Sequence, residues 1–424
     1  MIDFSQLIPF YESHLGPTGV LGGVLQIIIA ISPILLAFIL FIIFWPLWKN
    51  YTRSAWLFSL KYALLEIKLP KDINKSPRAM ELILNALHNT SDGSKFAQFW
   101  KGEKRPTYSL ELVSMEGKVR FYIYTEDRRK NGVMSAIYSQ YPGIEVSEVE
   151  DYARPFIFDP ETTKLWGAEF KLEKEAVYPI RTYIDYGLDK DPKEENKVDP
   201  MVPMLEFLSN VGPNQQFWFQ FIIRAHIKDQ VKKDHWFKLN DNFKDKAQEE
   251  INKIMKRDPK TKKDVDSKQA QLVTLTPGES NMIQAIDRKV SKLLFDVGIR
   301  TIYIARKDLY DKPNGIGGVI SAFKHFNYED MNGLKPNGDK WSSKLVGAPW
   351  EDFKGVRANN ISNEVLNAYK RRSYFYPPVS ETEFLILNSE ELATIYHFPG
   401  QVASNPNIER VPSKKSEPPA NLPI

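Results

Sequence analysis

The 424-residue chain contains no cysteine. That excludes disulfide cross-links, a thiol nucleophile, an iron–sulfur cluster and any Cys-ligated zinc. Basic residues are missing from its beginning. No Lys or Arg precedes Lys49, and only Asp3 and Glu12 carry charge before it. Histidine is scarce, and the six present form neither H-E-x-x-H nor another i, i+4 pair of the kind a zinc helix needs. There is no G-x-x-x-x-G-K-[ST] loop to cradle a nucleotide and no G-x-S-x-G nucleophile elbow. A strong charge of one sign is also lacking. With 57 Lys+Arg against 53 Asp+Glu the net charge is +4, far from the footprint of a dedicated nucleic-acid binder. No cofactor and no enzymatic activity are expected from these residues.

What is present begins with one long apolar run. From Gly16 to Trp48 no side chain is charged, and Val20–Trp48 reads VLGGVLQIIIAISPILLAFILFIIFWPLW. A bilayer core takes about 20 apolar residues, so the run crosses once and is too short to cross twice. Pro33 marks a place for a kink or tilt. A signal peptide would want a basic start, a shorter core and small residues at a cleavage site. Here Trp45, Pro46, Leu47 and Trp48 occupy that place. Trp45 and Trp48 form half of an aromatic belt, and Lys49 and Arg53 follow at once. The positive-inside rule then puts the N-terminus outside and the bulk of the chain in the cytoplasm of a single-pass inner or plasma membrane protein. The segment after Trp48 either lies along the bilayer surface or continues the helix.

The remainder alternates between strand and helix patterns. Tyr62–Leu69 is a strand, Ser76-Pro77 opens a helix, and Thr107–Ser114 and Lys118–Tyr124 flank a Glu116-Gly117 turn. A helix over Asn131–Tyr141 and a strand over Ile144–Val149 complete a βαββαβ order. The order recurs with Lys164–Leu172, a helix from Asp199-Pro200, strands Gln216–Ile227 and Gly298–Arg306, a helix over Gly315–Phe326, and Glu383–Leu387 as closing strand. YIYTEDRRKNGVMSAIYSQY (122–141) also resembles IYIARKDLYDKPNGIGGVISAFKHF (302–326), consistent with a structural duplication. The fold class expected is α+β: a single N-terminal transmembrane helix followed by two ferredoxin-like units, the second with a helical insertion. The segments are a short outer tail (1–18), the transmembrane helix (19–48), a juxtamembrane segment (49–61), a first α+β domain (62–158), a second (159–398) with its insertion at 228–297, and a Pro-rich tail (399–424). The insertion mixes charges of both signs, as solvated helices do. Gly315, Gly317 and Gly318 read as the start of a helix, not a phosphate cradle. Lys118–Tyr124 alternates basic and aromatic residues, a pattern that core and interface packing explain without nucleic acid.

The Ser76-Pro77…Ala79-Met80 helix start, Tyr138–Pro142, Glu148–Tyr152, Val297–Arg300 and Ala322–Asn327 carry a resemblance. So do Asn388–Thr394, His397–Gly400 and the SEPPANLP stretch at 416–423. Together they resemble the membrane-anchored region that precedes the motor in type IV secretion and conjugative-transfer ATPases, the class of DNA-translocase coupling proteins. The resemblance implies a nucleotide-binding domain after the Pro-rich tail, but the sequence ends at Ile424. Either the motor is a separate polypeptide or this is a truncated form; the expected partners are a P-loop ATPase in trans, the lipid bilayer and other copies of the chain in a homo-oligomer. The expected function is a non-enzymatic platform. Its membrane anchor is Pro33, Trp45, Trp48, Lys49 and Arg53, and its docking residues are Glu390, Glu391, His397, Phe398, Pro399, Pro418 and Pro419. A membrane-tethered nucleic-acid-binding module or a self-assembling scaffold are the alternatives.

Overall fold

A computed structural model describes residues 20–70, 75–189, 198–227, 242–255, 275–338, 340–341, 352, 355–376, 383–400 and 410–411. The chain divides into two compact units: the chain up to Ser59 together with Gly93–Lys104, and Leu60–Asp92 together with Arg105 onward.

The first unit is built on α1 (Val20–Ser59), which contains Pro33 and Pro46 and runs through both. It is the one described helix long and apolar enough to cross a membrane, and none of its apolar window is buried. At about 1.5 Å per residue the helix is ~60 Å long, roughly twice a hydrocarbon core. The segment after Trp48 therefore continues the helix beyond a bilayer core. The unit's second piece is a single π-helical turn, Ala97–Lys101, closed by Gly102.

The second unit is one mixed sheet clothed by helices. Its strands are β1 (Tyr62–Pro70), β2 (Tyr108–Met115), β3 (Lys118–Glu126), β4 (Glu145–Val149), β5 (Thr163–Leu172), β6 (Gln215–Ala225), β7 (Leu294–Arg306), β8 (Leu334–Pro336), β9 (Leu385–Asn388) and β10 (Arg410–Val411). The main order is β1-β3-β2-β6-β7-β5-β8. β4 pairs with the far side of β1, and β10 meets the end of β1 in the one parallel pairing among the described residues. The helices are α2 (Arg78–Leu87), α3 (Lys130–Gln140), α4 (Met201–Ser209), α5 (Asn242–Ile254), α6 (Pro277–Ser291), α7 (Gly317–Lys324), α8 (Val356–Lys370) and α9 (Ser389–Ile395).

Side-chain alternation along the strands sorts residues onto two faces. Phe121, Ile123, Phe217, Phe219, Phe221, Ile299 and Tyr303 share the larger core with α2, α3, α4, α7 and α9. Tyr122, Trp218, Ile302 and Ile304 point the other way, under Val365, Leu366 and Tyr369 of α8. The aromatic strand Lys118–Tyr124 is thus packed on both faces. Gly315 and Gly318 lie where a β-carbon would collide with the rings of Tyr303 and Phe207, so they serve close packing at the start of α7.

Two sequence expectations change. The chain on either side of residue 158 shares one sheet, because β2 and β6 pair from Tyr108–Ile223 to Met115–Gln216. The edge of β5 is taken by Leu334–Pro336, not by the 383–387 stretch. β7 is 13 residues long and β5 covers only Ile299–Arg306, which leaves Leu294–Val297 for β9 to pair. Between β6 and β7, α5 and α6 form a helical hairpin with a small core of Phe243, Ala247, Ile251, Ile283 and Ile286.

Candidate membrane interface and buried polar row

Along α1 the side chains from Ile31 to Phe44 are exposed, as a lipid-facing helix requires. Trp45 and Trp48 are half-buried, at the level where the first cations appear. Phe41 stacks on Trp45 with ring centres 5.7 Å apart, Phe44 on Trp48 at 5.8 Å, and Lys49 Nζ sits 5.4 Å from the Trp45 ring. Pro33 is exposed and Arg53 half-buried. All five residues expected to form the anchor lie on α1. Sequence reading missed their neighbours in the π-helical turn. Phe99 lies 5.9 Å from Trp45 and Trp100 5.9 Å from Trp48, ring centre to ring centre.

The expected docking residues are placed differently. Asn388 caps α9 and Glu391 completes a capping box, so the acidic pair begins a buried helix. Glu391 pairs with Lys289 at 3.0 Å, both fully enclosed. Burial pushes the Lys289 ammonium down and the Glu391 carboxyl up, each opposed by its partner. Glu390 meets Lys292 at 2.9 Å and Arg288 at 3.3 Å. His397 Nε2 lies 3.0 Å from Asp199, while Nδ1 lies 2.9 Å from the Ala393 carbonyl. Both ring nitrogens thus face oxygen atoms. Phe398 packs edge-on against Phe121 and Tyr141, and Pro399 is buried beside it. These five residues latch the C-terminal segment into the sheet unit and offer no surface to a partner, which corrects the docking assignment. Pro418 and Pro419 lie outside the described residues.

A second feature had been hidden among ordinary charges. Glu111 on β2, Gln220 on β6, Arg300 on β7 and Glu169 on β5 stand on one register line across four adjacent strands. All four are buried. Gln220 donates to Glu111 at 3.1 Å, and Arg300 donates to Glu169 at 2.8 Å. From the end of α8, Arg372 grips Glu111 and also bonds Asp151. Tyr152 donates to Glu111 at 2.8 Å. Burial and the Glu111 carboxylate push the Tyr152 phenol far up, so it stays a proton donor. Each carboxylate is engaged by arginine, which fixes strand register. Asp151 also lines a cleft of about 830 Å³ with Lys61, Tyr62, Tyr124, Glu148 and Arg154, a rim of mixed charge.

A family described as "Domain of unknown function (DUF8128)" matches residues 59–411. The chain belongs to the DUF8128 family. The match starts at the last residue of α1, so the apolar helix precedes the DUF8128 domain and the π-helical turn falls within it. No curated protein matches the chain.

Proposed function

We propose that the protein is a non-enzymatic, membrane-anchored platform of a type IV secretion or conjugation-like machine. α1 crosses the bilayer with its N-terminus outside, and the DUF8128 domain is presented to the cytoplasm. One observation carries the anchoring: the apolar window of α1, unburied among the described residues, runs into Trp45 and Trp48, and Lys49 and Arg53 follow on the same helix. The sheet is read as two fused ferredoxin-like units. The orders β4-β1-β3-β2 and β8-β5-β7-β6 are both the 4-1-3-2 order of a split βαββαβ unit, which supports this. The repeated sequence pieces support it too, since both run from the third strand of a unit into its second helix.

The partner in this reading is a P-loop ATPase in trans. With Glu390–Pro399 enclosed, the docking segment is the Pro-rich stretch that follows. Anchoring raises the local concentration of such a partner, so weak contacts suffice.

Two measurements test the reading. The cysteine-free chain accepts a single Gln284→Cys label site on α6, exposed in the sheet unit. A membrane-impermeant maleimide should modify it only after intact cells are permeabilised, and alkaline carbonate should not extract the protein. Labelling in intact cells or release by alkali would sink the topology. A mild-detergent pull-down of the full chain should enrich a P-loop ATPase that is lost on deleting residues 412–424, which leaves β10 in place. Enrichment that survives the deletion would sink the docking assignment.

A further inference from the structure

The turn at Ala97–Lys101 has an unusual composition for a solvent-facing loop. Phe96, Phe99 and Trp100 are respectively 65%, 39% and 58% exposed. Large aromatics left in water are costly unless something covers them. They are not scattered. Phe96 and Trp100 lie 6.4 Å apart, and Trp100 and Phe99 meet Trp48 and Trp45 at the end of the apolar run of α1.

The turn is held there by its own geometry. Ser94 starts it, accepting from the Ala97 N–H at 3.1 Å. Gly102 ends it at a φ of +74°, with its α-carbon so close to α1 that a β-carbon would strike the Thr52 backbone. The seam is closed, and Thr52 is 6% exposed. The chain therefore presses the turn onto the helix while leaving three aromatic rings on its outside.

The charges around the patch are one-sided. Lys49, Arg53, Lys95, Lys101 and Lys104 belong to this unit, with Glu103 the only carboxylate among residues 41–59 and 93–104. Exposed aromatics beside cations, level with the tryptophan belt of a span, match the headgroup boundary of an anionic bilayer.

We propose that the 95–101 turn is a second membrane-contacting element, inserted at the headgroup–acyl boundary beside α1. The proposal rests on α1 being a span and goes beyond it. The chain then crosses between the anchor unit and the sheet unit three times, after Ser59, Asp92 and Lys104. The occupant is lipid, because the patch continues the face that α1 already gives to the bilayer.

The test uses the full chain in phosphatidylcholine–phosphatidylglycerol vesicles, with an environment-sensitive fluorophore on single introduced cysteines. Phe96→Cys and Trp100→Cys probe the turn separately, so one can fail without losing the measurement. Ile39→Cys marks the apolar helix and Gln284→Cys the domain. The expected result is blue-shifted emission at 96 and 100, quenched most by a nitroxide near the glycerol backbone. Position 39 should be quenched most by a deep nitroxide, and 284 should remain water-like. Water-like emission at 96 and 100 with quenching at 39 would overturn the proposal and leave the span intact. Water-like emission at 39 as well would overturn both. Removing phosphatidylglycerol should shift 96 and 100 toward water and leave 39 unchanged.

Discussion

Arg372 and Glu111, 261 residues apart in sequence, form a bidentate pair: Nε reaches Oε1 at 2.9 Å and Nη2 reaches Oε2 at 3.1 Å. Both side chains are buried. Arg372 makes this contact from a φ of +48°, a left-handed conformation that costs an L-residue roughly 1–2 kcal/mol. It stands just past the end of α8, where glycine is the usual choice. The guanidinium explains the exception. Its bonds to Glu111 and Asp151, with the Tyr124 ring 4.4 Å beneath it, hold the strained residue and fasten α8 to β2. One residue thereby ends a helix and seals the buried polar row.

Arg372→Met should therefore be severe. It leaves Glu111 enclosed without its main counter-charge, a loss of about 3–5 kcal/mol. Urea unfolding of the full chain in mild detergent measures it. The double variant Glu111→Gln with Arg372→Met should recover part of the loss, because no charge is then stranded. A single-variant loss below about 1 kcal/mol would show that the pair does not fasten α8.

Legibility in the sequence followed the range of the forces. The β2–β3 hairpin was readable because Glu116 and Gly117 both take positive φ and the flanking strands alternate. The strand and helix order was readable for the same local reason. The polar row was not, since each member is an isolated polar residue in an apolar strand and its partners come from distant strands. Gln220 inside QFWFQFIIR and Arg300 inside GIRTIYIA were the available signals. The acidic pair Glu390-Glu391 reads as part of a docking surface, yet Asn388 three residues before Glu391 is a capping-box spacing. Phe99 and Trp100 were overlooked because only tertiary contact brings them to Trp45 and Trp48.

Asp199 gives the fold an acid limb. Burial raises its carboxyl, but His397 and the Met201 N–H outweigh that and hold it below the ordinary value. The unfolded carboxylate titrates near ~3.9. A depressed folded value means the stabilisation is complete above the unfolded value and is lost as pH falls through the folded one. The gap in unfolding free energy between the wild type and Asp199→Asn, followed from pH 7 down to pH 3, should begin to narrow below about pH 4. A gap that stays constant across that range would remove the linkage.

The α5–α6 hairpin has its own local support. Thr276 accepts from the Glu279 N–H at 3.2 Å, and Glu279 accepts from the Thr276 N–H at 2.8 Å. Thr276→Ala should weaken α6 by about 1 kcal/mol. Faster amide exchange in the first turn of α6, with unchanged exchange in β2 and β6, is the expected pattern. Equal acceleration across the sheet would mean that the hairpin does not open on its own.

Gly102→Ala tests the seam between α1 and the aromatic turn. At φ +74° an added methyl is strained by about 1 kcal/mol or more, and here it also meets the Thr52 backbone, which has no flexible end to swing away. The turn should lift from the helix, separating Phe99 from Trp45 and Trp100 from Trp48. Tryptophan emission from the full chain in detergent should become more accessible to acrylamide. The sheet unit should keep its stability to within about 0.5 kcal/mol, as a surface change does. Gly278→Ala is the control: it stands in open space near the start of α6, where alanine should be neutral or stabilising. If Gly102→Ala leaves quenching unchanged, the turn is not held by that contact. If it lowers sheet stability as much as Arg372→Met does, the turn is not an independent element.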